Sequence, residues 1–128
     1  MNDKKLKSSN FLITGGSGFI GTNLINLLLK KNCVKIYNID FNPPIVLSHK
    51  KYWVNCDIRN FNKLKKHISR IKPDYIIHLA ARTDLNGKTL AEYNTNTSGT
   101  KNLINSCINE NKIVFIHEIG RASCRERV

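Results

Sequence analysis

Four glycines lie within seven residues, directly after a short apolar segment and before a helical pattern. The stretch reads Thr14-Gly15-Gly16-Ser17-Gly18-Phe19-Ile20-Gly21, so it fits both G-x-G-x-x-G from Gly16 and G-x-x-G-x-x-G from Gly15. Glycines in such a turn let the backbone approach a phosphate, and the following helix N-terminus offers unpaired N–H groups to it. The spacing therefore predicts a binding site for the pyrophosphate of a dinucleotide.

A carboxylate ends the next apolar segment. Asp40 lies 19 residues after Gly21, where a carboxylate accepts hydrogen bonds from both hydroxyls of an adenosine ribose and repels a 2′-phosphate. No Arg follows it in Asp40-Phe41-Asn42, so we expect NAD rather than NADP. The alternative is an Asp that only caps a turn.

Short apolar runs alternate with helical patterns along the chain. The runs predict strands at 10–14, 34–40, 52–55, 75–79 and 113–116, with a Pro-containing loop at 41–51. Helices are predicted at 19 to about 32, at 61–71 and from about 90 to 111. Their expected buried positions are Ile20, Leu24, Leu27 and Leu28; Phe61, Leu64, Ile68 and Ile71; and Tyr93, Thr97, Thr100, Ile104 and Ile108.

This alternation predicts the fold class. Strands that are apolar throughout and separated by helices are typical of a parallel sheet buried on both faces. Right-handed crossovers then give the strand order 3-2-1-4-5, a Rossmann-type doubly wound α/β fold that stops after the fifth strand.

Composition narrows the classes of partner. The 128 residues suit one domain, and Lys plus Arg number 21 against 9 Asp plus Glu, a net charge of +12. Such a charge raises nucleic acid or an anionic membrane as partners, but no basic run exceeds two residues and no aromatic ladder accompanies the basic pairs. We expect neither partner, although RNA binding stays open as an alternative. Dispersed cysteines and the absence of a signal-peptide pattern predict a cytoplasmic location.

Three further segments follow the glycine stretch in order. They are Cys56-Asp57-Ile58-Arg59, His78-Leu79-Ala80-Ala81-Arg82 and Asn96-Thr97-Ser98-Gly99-Thr100. Together with T-G-x-x-G-F-I-G, they resemble the motifs of the extended short-chain dehydrogenase/reductase family, in particular its NAD-dependent epimerase/dehydratase group acting on nucleotide sugars. The resemblance covers residues 10–117.

The resemblance implies a set of residues that bind NAD. It adds Asp57 and Ile58 at the adenine, the backbone of Leu79, Ala80 and Ala81 at the pyrophosphate and nicotinamide ribose, and Asn96 near the active site. With the residues above, the expected cofactor-binding set is Gly15, Ser17, Gly18, Phe19, Ile20, Gly21, Asp40, Asp57, Ile58, Leu79, Ala80, Ala81 and Asn96. As alternatives, Asp57 could cap the following helix, and His78 could be a core histidine with satisfied hydrogen bonds. For His78, we favour the role of a core histidine over a catalytic one.

The catalytic motif that the resemblance implies, a Tyr followed four residues later by Lys, does not occur in the printed sequence. Residues 119–128 also differ in composition, with three Arg and no Lys, and are typical of a translated sequencing adapter. We therefore expect an incomplete NAD-binding domain at 1–117 and a non-native tail at 118–128, with no catalytic residue assigned.

The predicted function is the cofactor-binding half of an NAD-dependent nucleotide-sugar epimerase or dehydratase. The alternative is a non-catalytic NAD-binding sensor on the same fold. A nucleotide sugar is the expected substrate of the longer protein, and a homodimer of that protein is left open.

Overall fold

A parallel sheet organises the chain in the computed structural model, which describes residues 9–31, 34–80, 95–108, 110 and 112–118. The strands are β1 (Asn10–Thr14), β2 (Lys35–Asp40), β3 (Trp53–Asn55), β4 (Tyr75–His78) and β5 (Val114–His117). The helices are α1 (Phe19–Leu29), α2 (Phe61–Ile71) and α3 (Thr100–Ser106), with a 3-10 segment at Leu47–Tyr52 and a π turn at Thr95–Gly99.

The strand order is β3-β2-β1-β4-β5, and every neighbouring pair is parallel, so the predicted order is confirmed. Ile13 on β1 lies opposite Asn38 on β2 and Ile77 on β4. Because all strands run the same way, their carboxyl ends meet at one edge of the sheet. That edge carries Thr14, Asp40 and His78, and the glycine turn starts there.

Side chains are buried on both faces of β1. Leu12 belongs to a cluster that α2 and α3 cover, whereas the next residue, Ile13, packs with Ile25 of α1 and Ile36 of β2. Both Leu12 and Ile13 are fully buried. Burial of one such side chain is worth about 1.5–3 kcal/mol, so this two-sided core fixes β1 at the centre of the sheet.

The buried face of α1 differs from the prediction. Gly21, Thr22 and Ile25 are buried, and Leu24 and Leu28 pack partly against the core. Two predicted core residues, Ile20 and Leu27, are instead 55% and 56% exposed. The helix packs on the glycine turn at its smallest residue, Gly21, which a count of large apolar side chains leaves out.

The third helix also differs from the prediction. It begins at Thr100 and ends at Ser106, after the π turn Thr95–Gly99, and it buries Leu103 and Ser106; Gly99 of the π turn is also buried. Thr97, Ile104 and Ile108, which we expected in the core, are exposed, and Thr100 is half-buried. A π turn adds a residue to the helical repeat, so counting at 3.6 residues per turn across it selects the wrong face. Tyr93 lies outside the described residues.

The predicted tail begins one residue beyond β5. Glu118 donates its N–H to the carbonyl of His78 at 3.3 Å, continuing the contact between β4 and β5. Residues 119–128 lie outside the described residues. Within the described ranges, no helix is both long and apolar enough to cross a membrane.

Candidate dinucleotide site

The glycine turn leaves β1 through a backbone conformation that favours glycine. Gly15 has φ of +74°, and its N–H bonds the carbonyl of Ile39 at 3.0 Å. A Cβ at Gly15 would also lie 2.7 Å from the backbone N of Ala80. Gly15 is therefore fixed both by its backbone conformation and by the segment that follows β4.

The other three glycines lack a side chain for different reasons. A Cβ at Gly21 would lie 2.5 Å from the carbonyl oxygen of Gly15, and one at Gly16 would lie 2.5 Å from the Asn38 side-chain amide. Among the residues that the structure describes, a Cβ at Gly18 would meet only the Gly15 oxygen, at an ordinary 3.5 Å. Protein packing therefore explains Gly16 and Gly21 but leaves space at Gly18.

The first turn of α1 presents backbone donors at this space. The first helical hydrogen bond runs from Thr22 N to Gly18 O at 2.9 Å. The N–H groups of Phe19 and Ile20 make no hydrogen bond with the other residues that the structure describes, and their side chains are 80% and 55% exposed. The first turn has no acidic residue and no side-chain cap. Such an N-terminus favours a bound anion.

Ser17, within the glycine turn, is hydrogen-bonded to β2 and to the segment that follows β2. Its N–H bonds Asp40 Oδ2 at 3.1 Å, and its hydroxyl donates to the carbonyl of Asn42 at 2.8 Å. The Ser17 oxygen also accepts from Asn38 Nδ2 at 3.1 Å. Both polar groups of Ser17 are thus already bonded within the protein.

Asp40 ends β2 with its carboxylate facing the glycine turn. Besides Ser17, it accepts the N–H of Asn42 on Oδ1 at 2.9 Å. Its backbone carbonyl accepts from Trp53 Nε1 at 2.8 Å. The carboxylate therefore closes a turn, as the alternative reading proposed, but two of about four acceptor positions stay available to ribose hydroxyls.

Asp57 lies just beyond β3 in an ion pair. Arg59 Nη2 contacts its Oδ2 at 2.6 Å, and the hydrogen bonds from Arg59 lower the pKa of the Asp57 carboxyl below its ordinary value. The capping residue of α2 is Asn60, whose side chain accepts from Lys63 N at 3.2 Å. The alternative in which Asp57 caps this helix is therefore wrong.

Ile58 contributes its side chain to the core rather than to the open edge. It is buried, and a Cβ on Gly99 would lie 2.6 Å from its Cδ1. Its carbonyl accepts from Asn102 Nδ2 at 3.0 Å. Ile58 thus connects the end of β3 with the start of α3.

The segment after β4 is held by Thr14. Its Oγ1 accepts the N–H groups of Leu79 and Ala80, each at 3.1 Å, and lies 2.6 Å from His78 Nδ1. Because both acceptor positions of the hydroxyl are used, its proton points to Nδ1. His78 then carries its own proton on Nε2, which donates to Thr100 Oγ1 at 2.8 Å.

The environment keeps His78 neutral. The ring is fully buried and stacks against His117 with centroids 4.9 Å apart. Burial, assisted by His117, lowers the pKa of His78 to about 4. The prediction of a core histidine with satisfied hydrogen bonds is confirmed.

The structure brings most of the predicted residues to the carboxyl edge of the sheet. Leu79 and Ala80 lie beside Gly15, and Asn96 is exposed on the π turn before α3. Ala81 lies outside the described residues. Sequence reasoning missed Thr14, Asn38 and Asn42; a polar residue inside the apolar segment 34–40 was the available signal for Asn38. In the described part of the chain, no three His, Cys, Asp or Glu residues are grouped to hold a metal ion.

A family model and a curated protein both match most of this chain. The model of the 3-beta hydroxysteroid dehydrogenase/isomerase family matches residues 12–119. GDP-6-deoxy-D-talose 4-dehydrogenase of Aggregatibacter actinomycetemcomitans is 36% identical over 101 residues, covering 78% of this chain and 31% of that protein.

Two solved structures in complex with NAD share the fold. One is dTDP-glucose 4,6-dehydratase of Bacillus anthracis, at 28% identity and a TM-score of 0.72, covering 85% of this chain and 36% of that one. The other is UDP-glucose 4-epimerase of Brucella ovis, at 27% identity and a TM-score of 0.65, covering 77% and 32%. The chain thus spans about a third of the length of these relatives.

Proposed function

Because the chain belongs to the 3-beta hydroxysteroid dehydrogenase/isomerase family, we propose that it forms the NAD-binding part of an enzyme. The observation that carries this proposal is the combination at the start of α1. Two N–H groups, on Phe19 and Ile20, make no hydrogen bond to other described residues and adjoin Gly18, the one glycine of the turn at which those residues leave room. The Asp40 carboxylate lies on the neighbouring strand end.

The residues at this edge fit the chemical groups of NAD. The Phe19 and Ile20 amides suit the pyrophosphate, with Gly15, Gly18 and Gly21 giving the turn its shape. Asp40 has acceptor positions for the adenosine ribose, and the Asp57 carboxylate, which Arg59 holds in an ion pair, is the group proposed to lie at the adenine. The backbone of Leu79, Ala80 and Ala81, with Asn96, would border the nicotinamide half. Bound NAD supplies a hydride acceptor.

We assign the site residues two separate roles. Gly18, Phe19, Ile20, Asp40 and Asp57 present atoms or space to the cofactor. Ser17 and Ile58 support the site without contacting the cofactor. The polar groups of Ser17 are hydrogen-bonded within the protein, and the side chain of Ile58 is buried in the core.

A nucleotide sugar is the substrate class that we propose for the longer protein. The relatives named above are a dehydrogenase of a GDP-sugar, a dehydratase of dTDP-glucose and an epimerase of UDP-glucose. The description of the matched family names hydroxysteroids, which makes a steroid the competing substrate class. The reaction proposed is epimerisation or dehydration with NAD as the hydride carrier.

A second candidate is a non-catalytic NAD-binding sensor. None of Tyr37, Tyr52, Tyr75 and Tyr93 is followed four residues later by Lys, a pattern that both candidates would show over this segment. Reading the source gene beyond codon 117 distinguishes the two, since an enzyme should continue into Tyr-x-x-x-Lys.

Cofactor titration tests the proposal. We expect wild-type protein to bind NAD more tightly than NADP in calorimetric titrations. Replacing Asp40 with Ala should weaken NAD binding roughly 10- to 150-fold, the value of a charge-assisted hydrogen bond, and should improve NADP relative to NAD. The same substitution also removes the hydrogen bond from the Ser17 N–H, an effect common to both cofactors. The ratio of the NAD and NADP affinities is therefore the quantity to compare.

Asp74→Ala is the matched control. Asp74 likewise accepts a backbone N–H, from Asn10 at 2.8 Å, but at the opposite edge of the sheet. It should leave the NAD-to-NADP ratio unchanged. A wild-type protein that binds NADP more tightly than NAD, or neither, would contradict the proposal.

A further inference from the structure

Asn38 places a polar side chain in the interior of the sheet. It lies within β2, next to β1 and β3, and is fully buried. A buried side-chain amide is costly unless its polar atoms are bonded, and here both ends are used. Oδ1 accepts the N–H of Gly16 at 2.8 Å, and Nδ2 donates to Ser17 Oγ at 3.1 Å.

These contacts belong to a closed network between β2 and the glycine turn. Ser17 extends it to the Asn42 carbonyl and, through its N–H, to the Asp40 carboxylate. Asp40 in turn accepts from Asn42 N. The N–H groups of Gly16 and Ser17 therefore both point to β2 side chains, whereas those of Phe19 and Ile20 are left for a ligand.

Asn38 also determines which residue can stand at position 16. A Cβ on Gly16 would lie 2.5 Å from Asn38 Cγ and Oδ1. The second glycine of the run is thus explained by a side chain of the neighbouring strand. The two residues form a pair in which each restricts the other.

We propose that Asn38 is a positioning residue for the dinucleotide, which sets the direction of the α1 amides by shaping the glycine turn without touching the ligand itself. The inference rests on the proposed NAD binding. It means that a residue inside a strand contributes part of the NAD affinity that would otherwise be attributed to the glycine motif alone.

Replacing Asn38 with Leu tests the proposal, because Leu has nearly the same shape and removes both hydrogen bonds. We expect NAD affinity to fall about 10-fold in calorimetric titration, equivalent to about 1.4 kcal/mol. Asn10→Leu is the matched control. Asn10 also bonds through its side-chain amide, to the carbonyls of Ile71 at 3.0 Å and Lys72 at 3.4 Å, but at the far edge of the sheet. It should lose stability without a change in NAD affinity.

A double-mutant cycle provides a second readout that a general loss of stability would not move. Gly16→Ala should weaken NAD binding strongly when Asn38 is present. In the smaller Asn38→Ala background, where the obstructing amide is gone, the same change should weaken it less. The Gly16 amide should also exchange with deuterium faster in Asn38→Ala than in wild type, with or without NAD.

The outcomes separate the two proposals. A wild-type protein without NAD affinity overturns the proposed function. A wild-type protein that binds NAD, together with an Asn38→Leu variant that binds it as tightly as Asn10→Leu, overturns only the role of Asn38. Additive effects of Gly16→Ala and Asn38→Ala overturn it equally.

Discussion

At the scale of single residues, three of the four glycines in the run each have a structural requirement of their own. Gly15 needs its positive φ, Gly16 makes room for Asn38 and Gly21 makes room for the turn itself. Gly18 meets none of these constraints, since its φ of −80° suits any residue and a Cβ there has space. A sequence pattern treats the four alike, because the contacts that distinguish them, such as that of Gly16 with Asn38 and that of Gly15 with Ala80, form only in the folded chain.

Gly18→Ala should therefore separate binding from folding. We expect the free energy of unfolding to fall by no more than about 1 kcal/mol, because Ala is a poorer N-cap residue than Gly but its Cβ has space here. NAD affinity should fall at least ~10-fold, because the added methyl occupies the space proposed for the pyrophosphate. Urea unfolding and calorimetric titration measure the two quantities.

Gly21→Ala is the comparison for this experiment. Its Cβ would press on the Gly15 oxygen at 2.5 Å, so the free energy of unfolding should fall by more than 1 kcal/mol, about the lower limit for overpacking. Unchanged NAD binding in Gly18→Ala would remove the assignment of Phe19 and Ile20 as phosphate donors.

At the scale of secondary-structure elements, one hydrogen-bonded chain joins three of them. Thr14 at the end of β1, His78 at the end of β4 and Thr100 at the start of α3 are linked through the two ring nitrogens of the histidine. This series of hydrogen bonds requires a neutral imidazole ring, because Nδ1 must accept the hydroxyl proton of Thr14. Protonation of His78 would turn that acceptor into a donor facing a hydroxyl that already accepts two N–H groups.

This arrangement predicts how stability depends on pH. The folded-state pKa of His78 is about 4, below its ordinary 6.5, so the unfolded chain binds more protons between these values. The free energy of unfolding should fall as pH decreases through this window and be largely retained above it. We expect His78 alone to account for a loss of about 2 kcal/mol between pH 7 and pH 5.

His78→Asn provides the reference, because Asn keeps an acceptor near the Nδ1 position and does not titrate. Urea unfolding at pH 7 and pH 5 should show a smaller pH-dependent loss in the variant than in the wild type. The lowered pKa values of His49 and His67 act in the same direction in both proteins and cancel in the difference. An equal pH-dependent loss in the two proteins would show that the pKa of His78 is not lowered in the folded state.

The helices mark the limit of what the sequence pattern could predict at this scale. Strands 10–14 and 75–79 were readable, because a two-sided core leaves continuous apolar runs. The faces of α1 and α3 were not, because both helices approach their neighbours at a glycine, Gly21 or Gly99, which carries no hydrophobic signal. The exposed Leu27 and Ile104 are the consequence.

At the scale of the whole molecule, fold class and strand order followed from the sequence, and the resemblance to the extended short-chain dehydrogenase/reductases is confirmed by the family match and the solved relatives. The supporting network of the site was not predictable. Thr14, Asn38 and Asn42 act through contacts between segments that lie 21 to 66 residues apart or through backbone groups, as in Asn38 with Ser17 and Thr14 with Ala80. No local pattern records such pairs.

We expect the 128-residue chain to show no dehydrogenase, epimerase or dehydratase activity. A general base must lie within about 2.6–3.2 Å of the substrate hydroxyl proton. The resemblance to the extended short-chain dehydrogenase/reductases implies a Tyr in this role, with a Lys four residues on. The printed sequence contains no such pair. Incubation with NAD and UDP-glucose or dTDP-glucose, followed by chromatography of the products, measures this.

A nucleotide-sugar epimerase assayed in parallel serves as the positive control for those conditions. Turnover above a buffer blank by the purified chain would show that another residue supplies the base. NAD binding and turnover are separate outcomes, so an inactive chain that binds NAD agrees with the proposal for the cofactor site.

Trp53 gives this molecule an optical signal at the proposed site. It is the only tryptophan in the chain, and its indole N–H bonds the carbonyl of Asp40, the residue that would face the adenosine ribose. Tryptophan emission from the protein therefore arises from a single fluorophore, whose hydrogen bond ends at the strand that carries Asp40. A ligand that shifts Asp40 should alter the intensity or wavelength of that emission, so the native chain needs no added label to report occupancy.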